Sequence, residues 1–291
     1  MKNGYGYCLD IADTRISVSS DTEIKKDISF EPFLNKDSEN AYRTVFIRTE
    51  KLPPFPEEII FEGKGYRVHK SENTKIIKSF FDEPRDFSPY GVGFYDYPAK
   101  KAEIFYLEKG KNCLNEMSNS FFHVGLEALM IRENKACLHA SYIMTDLGGI
   151  LFTGPSGIGK STQADIWIKY KNARLINGDR PIVGRKDGAF YAWGSPYAGS
   201  SKCYVNEGHP VSAVVVLEQA EKPFIEKLDL KSACREIYRN MTLNPWDPFF
   251  AVNVFDLALE MAKSVNVYRL NATLGKESSD LLENALISEK R

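Results

Sequence analysis

Gly154-Pro155-Ser156-Gly157-Ile158-Gly159-Lys160-Ser161 is the stretch on which the reading of this 291-residue chain turns. It matches G-x-x-x-x-G-K-[ST], the spacing of a phosphate-binding loop. Just upstream, Gly149-Ile150-Leu151-Phe152-Thr153 reads as a short buried strand, and Ser161 to Tyr170 continues as a helix. Strand, loop and helix in that order are the setting in which the motif works. Glycines let successive backbone N–H groups turn inward around phosphate oxygens, and a helix beginning at Lys160 adds its positive end. The run from Gly154 to Thr162 is therefore expected to hold a nucleotide's phosphates, with Lys160 neutralising the β- and γ-phosphates and the Ser161 hydroxyl ligating Mg²⁺. A glycine-rich turn before a surface helix would explain the glycines alone. It would not explain the agreement of strand, lysine, hydroxyl and helix.

Working outward, Ala173-Arg174-Leu175-Ile176-Asn177-Gly178-Asp179-Arg180 follows the loop's helix as a short apolar strand. A strand–helix–strand connection sets two strands parallel in one sheet, so Asp179 is expected on the phosphate edge as the candidate metal ligand. On the other side, strands at 137–144 and 149–154 flank the tight-turn sequence Asp146-Leu147-Gly148-Gly149. Paired antiparallel, they are expected to bring His139 opposite residues 156–158, at the mouth of the loop. A lone histidine is more often structural, and only this register argues for a role near the transferred phosphate. Trp193 to Lys202, rich in small donors with one cation, reads equally as a substrate-contacting loop or a plain surface loop. Asn244 to Phe250 reads as a helix cap followed by a buried aromatic face.

The remainder of the chain supplies organisation. Up to about residue 118 the sequence shows short β-like runs, such as Tyr42 to Thr49, Ile59 to Phe61, Tyr66 to His69 and Ala102 to Leu107. Gly63-Lys64-Gly65 reads as a hairpin, and Pro53 to Pro56 and Phe87 to Gly91 read as loops. An apolar helix is expected over 120–132, opening a second domain of alternating strands and helices. Its strands fall near 173–177, 213–217 and 265–270, and its helices near 160–171, 229–240, 248–263 and 277–288. The expected division is a mostly antiparallel β domain over 1–118 and an α/β nucleotide-binding domain over 119–291.

Composition narrows the partners. With 38 Lys+Arg against 39 Asp+Glu there is no electrostatic case for nucleic acid. Five scattered cysteines, Cys8, Cys113, Cys137, Cys203 and Cys234, support neither a disulfide framework nor a zinc site and read as thiols in a reducing compartment. The start, Met1 to Tyr7, has no apolar leader core, and no apolar run reaches the roughly 18 residues of a membrane span. A cytoplasmic protein is expected.

Over residues 137 to about 270 the chain resembles the HPr kinase/phosphorylase and ATP-dependent phosphoenolpyruvate carboxykinase superfamily of P-loop proteins. The resemblance rests on Leu138-His139-Ala140, the hairpin, the loop from Gly154 to Thr162, the strand ending at Asp179-Arg180 and the closing strand Val265 to Leu270. The nearer likeness is to short HPr-kinase-like proteins that phosphorylate free serine or modify peptides. It implies ATP- and Mg²⁺-dependent phosphoryl transfer to a hydroxyl, commonly a serine or threonine of a peptide or protein. Asp179 would take the metal position, and Arg180 and His139 would serve acceptor activation or charge stabilisation. Gly178 stands where the family usually carries the first of two aspartates, thought to act as base, and His139 is the first substitute. A nucleotide-sensing pseudokinase and a plain NTPase are the rival readings. The β-rich half would hold the acceptor or a partner, and a homo-oligomer is compatible with the resemblance.

Overall fold

The computed structural model describes residues 4–71, 75–82 and 88–289, apart from the side chains of residues 113 and 114. Met1 to Asn3, Phe87 and the Cys113 side chain therefore lie outside the described residues. The chain forms two compact units that divide between Arg132 and Glu133. Each is built on a large β-sheet, and the whole is a mixed α/β protein.

In the first unit the strands are β1 (Tyr5–Ile11), β2 (Thr14–Ser20), β3 (Leu34–Asn35), β4 (Tyr42–Arg48), β5 (Ile59–Gly63), β6 (Tyr66–His69), β7 (Ile76–Phe80), β8 (Gly91–Asp96) and β9 (Lys101–Tyr106). They lie in the order β3-β1-β2-β4-β9-β8-β7-β6-β5. Alternation makes them strands: in β2 every second residue, from Thr14 to Ser20, is buried. Neighbours pair antiparallel except around β4, which runs parallel to both β2 and β9. Lys64-Gly65 closes the β5–β6 hairpin where a turn was expected, with Gly65 at φ +77°.

The apolar stretch expected as one helix over 120–132 is two, α1 (Met117–Val124) and α2 (Leu126–Arg132), broken where Gly125 takes φ +72°. Both belong to the first unit rather than opening the second. Phe121 packs edge-on against Phe30 at 5.0 Å, Tyr7 Oη meets Ser120 Oγ at 2.8 Å, and the Tyr95 hydroxyl donates to the His123 carbonyl at 2.5 Å. These contacts move the boundary from 118 to 132.

The second unit contains β10 (Lys135–Cys137), β11 (Ala140–Thr145), β12 (Gly148–Thr153), α3 (Lys160–Lys171), β13 (Arg174–Asn177), β14 (Ile182–Lys186), β15 (Ala189–Trp193), β16 (Gly208–Gln219), β17 (Phe224–Lys227), α4 (Leu230–Asn240), α5 (Pro248–Ser264), β18 (Asn266–Ala272) and α6 (Lys276–Glu289). The sheet runs β10-β14-β15-β16-β12-β11-β13, and β18 pairs with β16 and β17. Ile150, Phe152, Val215, Leu217 and Leu270 from its centre pack with Trp167 of α3 and Leu282 and Leu286 of α6. Burying such a set is what holds helices on a sheet face, at roughly 1.5–3 kcal/mol per large side chain. Among the described residues no helix is long and apolar enough to cross a membrane.

Two expectations about connectivity change. The strand expected over 137–144 is split: β10 pairs with β14 and β11 with β12. Between them the main chain turns to other partners, with Leu138 N donating to Pro181 O at 3.0 Å and His139 N to Asn240 O at 2.8 Å. β13 is not adjacent to β12, because β11 lies between and pairs antiparallel with both. β13 still points the same way as β12, so the ends of β12 and β13 and the start of β11 share one edge of the sheet.

Candidate active site

The loop at that edge has the backbone its glycines allow. Gly154, Gly157 and Gly159 adopt φ of +140°, +79° and +113°, values at which a side chain is strained. Beyond the loop Gly159 caps α3 without any side-chain hydrogen bond. The N–H groups of Lys160, Ser161 and Thr162 thus begin a helix with no carbonyl partner inside it. Lys160, only 8 % exposed, donates from Nζ to the carbonyls of Gly154 and Pro155, each at 3.0 Å. Burial lowers its pKa, and the charge of Asp179 opposes that shift.

His139 Nε2 lies 3.4 Å from Asp179 Oδ1, and Arg180 Nε lies 3.7 Å from Asp179 Oδ2. Both His139 and Asp179 keep about a third of their side-chain surface open, at 32 % and 33 %. The histidine's pKa is lowered, chiefly by burial, with Lys160 and Arg180 adding to the effect and Asp179 opposing it. Thr153 Oγ1 donates to the His139 carbonyl at 2.9 Å, fastening the two strand ends together. The register differs from the expected one. Ala140 faces Thr153, which puts His139 level with Gly154 rather than with 156–158. The reason is a tighter turn: Thr145 pairs with Gly148, and Thr145 Oγ1 donates to Gly148 O and accepts from Leu147 N.

Gly178 has a spatial explanation. A Cβ built there would lie 2.3 Å from Ser201 Oγ and 3.1 Å from the Ala198 carbonyl. One built on Gly199 would lie 2.9 Å from Asp179 Cβ. The loop from Trp193 to Lys202, read either as a contact loop or as plain surface, thus packs directly on Gly178 and Asp179. Its Ser195 is fully buried, and so is Asn177. Asn177 Oδ1 accepts from the N–H groups of both Asp179 and Arg180, at 3.0 and 2.8 Å. Sequence reasoning passed over Asn177, although an Asn just before Gly-Asp is a side-chain-closed turn signal. Ser195 and Thr242, which accepts from Arg180 Nη1 at 2.9 Å, carry no local signal.

Elsewhere Asp247 caps α5 through Phe250 N with Phe250 buried, as expected of 244–250. Cys8, Cys137 and Cys234 are buried and Cys203 is half-buried. In the first unit His69 Nε2 meets Ser79 Oγ at 2.7 Å. That pair is enclosed, with His69 4 % and Ser79 0 % exposed, so no substrate reaches the hydroxyl.

A hydroxyl at the start of α3 and a carboxylate one third open are the donor types that a phosphate-bound magnesium ion takes. Among the described residues no group of three or more His, Cys, Asp or Glu side chains is placed to hold a metal alone. Mg²⁺ bound through one carboxylate and substrate phosphates needs no such cage. The hydroxyl of Ser161, exposed at the start of α3, makes no side-chain hydrogen bond among the described residues.

Scanned against family models the chain matches none, and no curated protein matches it. Among solved structures it is similar to the HPr(Ser) kinase/phosphatase from Coxiella burnetii, at 14% sequence identity over 53% of this chain and 90% of that one, with a TM-score of 0.31. This is a distant structural relationship only.

Proposed function

We propose that the second unit is an ATP- and Mg²⁺-dependent kinase that transfers the γ-phosphoryl group to a hydroxyl, that of a serine or threonine in a peptide or protein or of free serine. The observation that carries this reading is the gathering of a glycine-loop lysine and the partly open side chains of Asp179 and His139 on one sheet edge. In it, the amides of 154–162 and Lys160 receive the phosphates. Lys160 exchanges two backbone carbonyls for phosphate oxygens, so the cation is never left without a partner. Ser161 and Asp179 would hold Mg²⁺, which when bound would neutralise charge on the β- and γ-phosphates.

The acceptor hydroxyl forms the new O–P bond as the bridging bond between the β- and γ-phosphates breaks. ADP leaves, and the hydroxyl proton passes to His139, whose lowered pKa keeps it able to accept. Arg180, held to Thr242, stands by to stabilise charge on the transferred group. The β-rich unit of 4–132 is assigned to acceptor or partner binding.

One observation favours a second reading. Ser201 fills the space beside Gly178, so a side chain there would have to displace it, and a nucleotide sensor or NTPase is the rival. Incubation with γ-labelled ATP, Mg²⁺ and a panel of serine peptides or free serine separates the three. Label in an acceptor is the expected result. Phosphate release alone would make it an NTPase, and binding without turnover a sensor.

A further inference from the structure

Asn177 and Ser195 are polar, completely buried and well apart in sequence, yet their side-chain hydrogen bonds run to one another and to Asp179, Arg180 and Tyr197. Asn177 closes the turn with its Oδ1 on the N–H groups of Asp179 and Arg180. Its Nδ2 donates to the Ser195 carbonyl at 3.1 Å. Ser195 Oγ donates to the Arg180 carbonyl at 2.6 Å and accepts from Tyr197 N at 3.2 Å. Arg180 N completes the ring on the Tyr197 carbonyl at 3.2 Å. Two buried side chains thus hold the N–H groups of Asp179 and Arg180 and the carbonyl of Arg180. Burying an amide and a hydroxyl is costly unless they are fully hydrogen-bonded, and a plain strand end could have been covered with apolar side chains.

We propose that Asn177 and Ser195 are positioning residues, which fix the Asp179 carboxylate and the Arg180 guanidinium in place for a magnesium-bound nucleotide. The inference rests on the proposed function. With glycine at 178, Asp179 is the one carboxylate of this turn, and a single ligand has no second one to correct its placement. The turn supplies that rigidity from behind. Neither residue touches the nucleotide in this scheme, so each acts through Asp179 and Arg180.

The test compares the wild-type chain with Asn177→Ala, Ser195→Ala and Asn177→Asp. Asn177→Asp keeps the oxygen that accepts from both N–H groups. Two quantities are measured: hydrogen exchange of the Asp179 and Arg180 amides without nucleotide, and the Mg²⁺ concentration that half-saturates thermal stabilisation by ATP. In the alanine variants we expect exchange at those two amides to quicken at least tenfold while the Ile176 amide is unchanged. The half-saturating Mg²⁺ should rise about tenfold, with stabilisation by ATP in EDTA unaltered. Asn177→Asp should restore the Mg²⁺ value even where its melting temperature is lower. Faster exchange with an unchanged Mg²⁺ requirement would make the pair merely structural and overturn the inference, as would unchanged exchange. A wild-type protein that binds ATP without any Mg²⁺ dependence would overturn the metal assignment of Asp179 itself, and this inference with it.

Discussion

Lys78 and Lys160 are buried to the same degree, each 8 % exposed, one in each unit. Lys78 sits against the rings of Tyr66 and Tyr95, at 5.4 and 5.2 Å from their centroids. Lys160 rests on two carbonyls of a glycine loop. The histidines repeat the contrast. His123 is 2 % exposed and wedged between Phe80, Phe46 and the Tyr90 hydroxyl, whereas His139 stands in an open edge against Asp179. Burial of a titratable group therefore does not mark a site. What marks one is a holding partner that a ligand can replace. Aromatic walls cannot be exchanged for phosphate, but carbonyls at the rim of an open loop can.

The sharpest way to break that contrast is to remove both lysines in turn. Lys160→Ala should abolish ATP-dependent thermal stabilisation and leave the unliganded melting temperature nearly unchanged. Lys78→Ala should do the reverse, lowering stability by about 2 kcal/mol through lost cation–π contact in a desolvated setting, with ATP stabilisation intact. If both variants behaved alike, the distinction between the two units would be empty. Next in size, His139→Ala should slow phosphoryl transfer by roughly 10²–10⁴-fold, the range of a general base, with ATP binding retained. Transfer at the wild-type rate would remove His139 from the chemistry.

His123 gives a pH signature to the first unit. Burial pushes its pKa down to about 4 from an ordinary 6.5. Between those values the unfolded chain takes up a proton that the folded one refuses, so stability falls as the solution is acidified from about pH 6.5 toward pH 4. The full effect of this group is about 3 kcal/mol. Urea unfolding at several pH values should show a slope that His123→Gln reduces. An identical slope in the variant would mean that the histidine is solvated. The smallest effect probes the packed glycine. Gly178→Asp alone should destabilise by roughly 1–3 kcal/mol through crowding against Ser201. Combined with Ser201→Gly the loss should shrink, and a strictly additive pair of penalties would deny the contact.

Several elements were legible because their signals are local. The strand before the loop, α3, α4, α5 and β18 fall within a few residues of where periodicity and capping put them. The hairpin of β14 and β15 was passed over although Asp187-Gly188 announces it, with φ of +50° and +83°. The apolar helix over 120–132 was legible, but its allegiance was not. Phe121 and Ser120 look alike on either side of a domain boundary until Phe30 and Tyr7 are seen to meet them. The level of His139 was missed by about two to four residues, since a threonine-capped turn shortens the hairpin in a way that turn composition does not announce.

By itself, the amino-acid order determined the shape of the loop at 154–161: left-handed glycines, a lysine and a helix start lie within eight consecutive positions and need no distant partner to take shape. It also determined that a carboxylate would end a strand close behind. Which side chains would keep that carboxylate company was decided only by the fold. The pairing of His139 with Asp179, the ring of hydrogen bonds through Asn177 and Ser195, and the seat of Ser201 on Gly178 join segments that lie 15 to 40 positions apart. Registers and crossovers set such meetings, and they minimise the free energy of the whole sheet rather than of any one stretch.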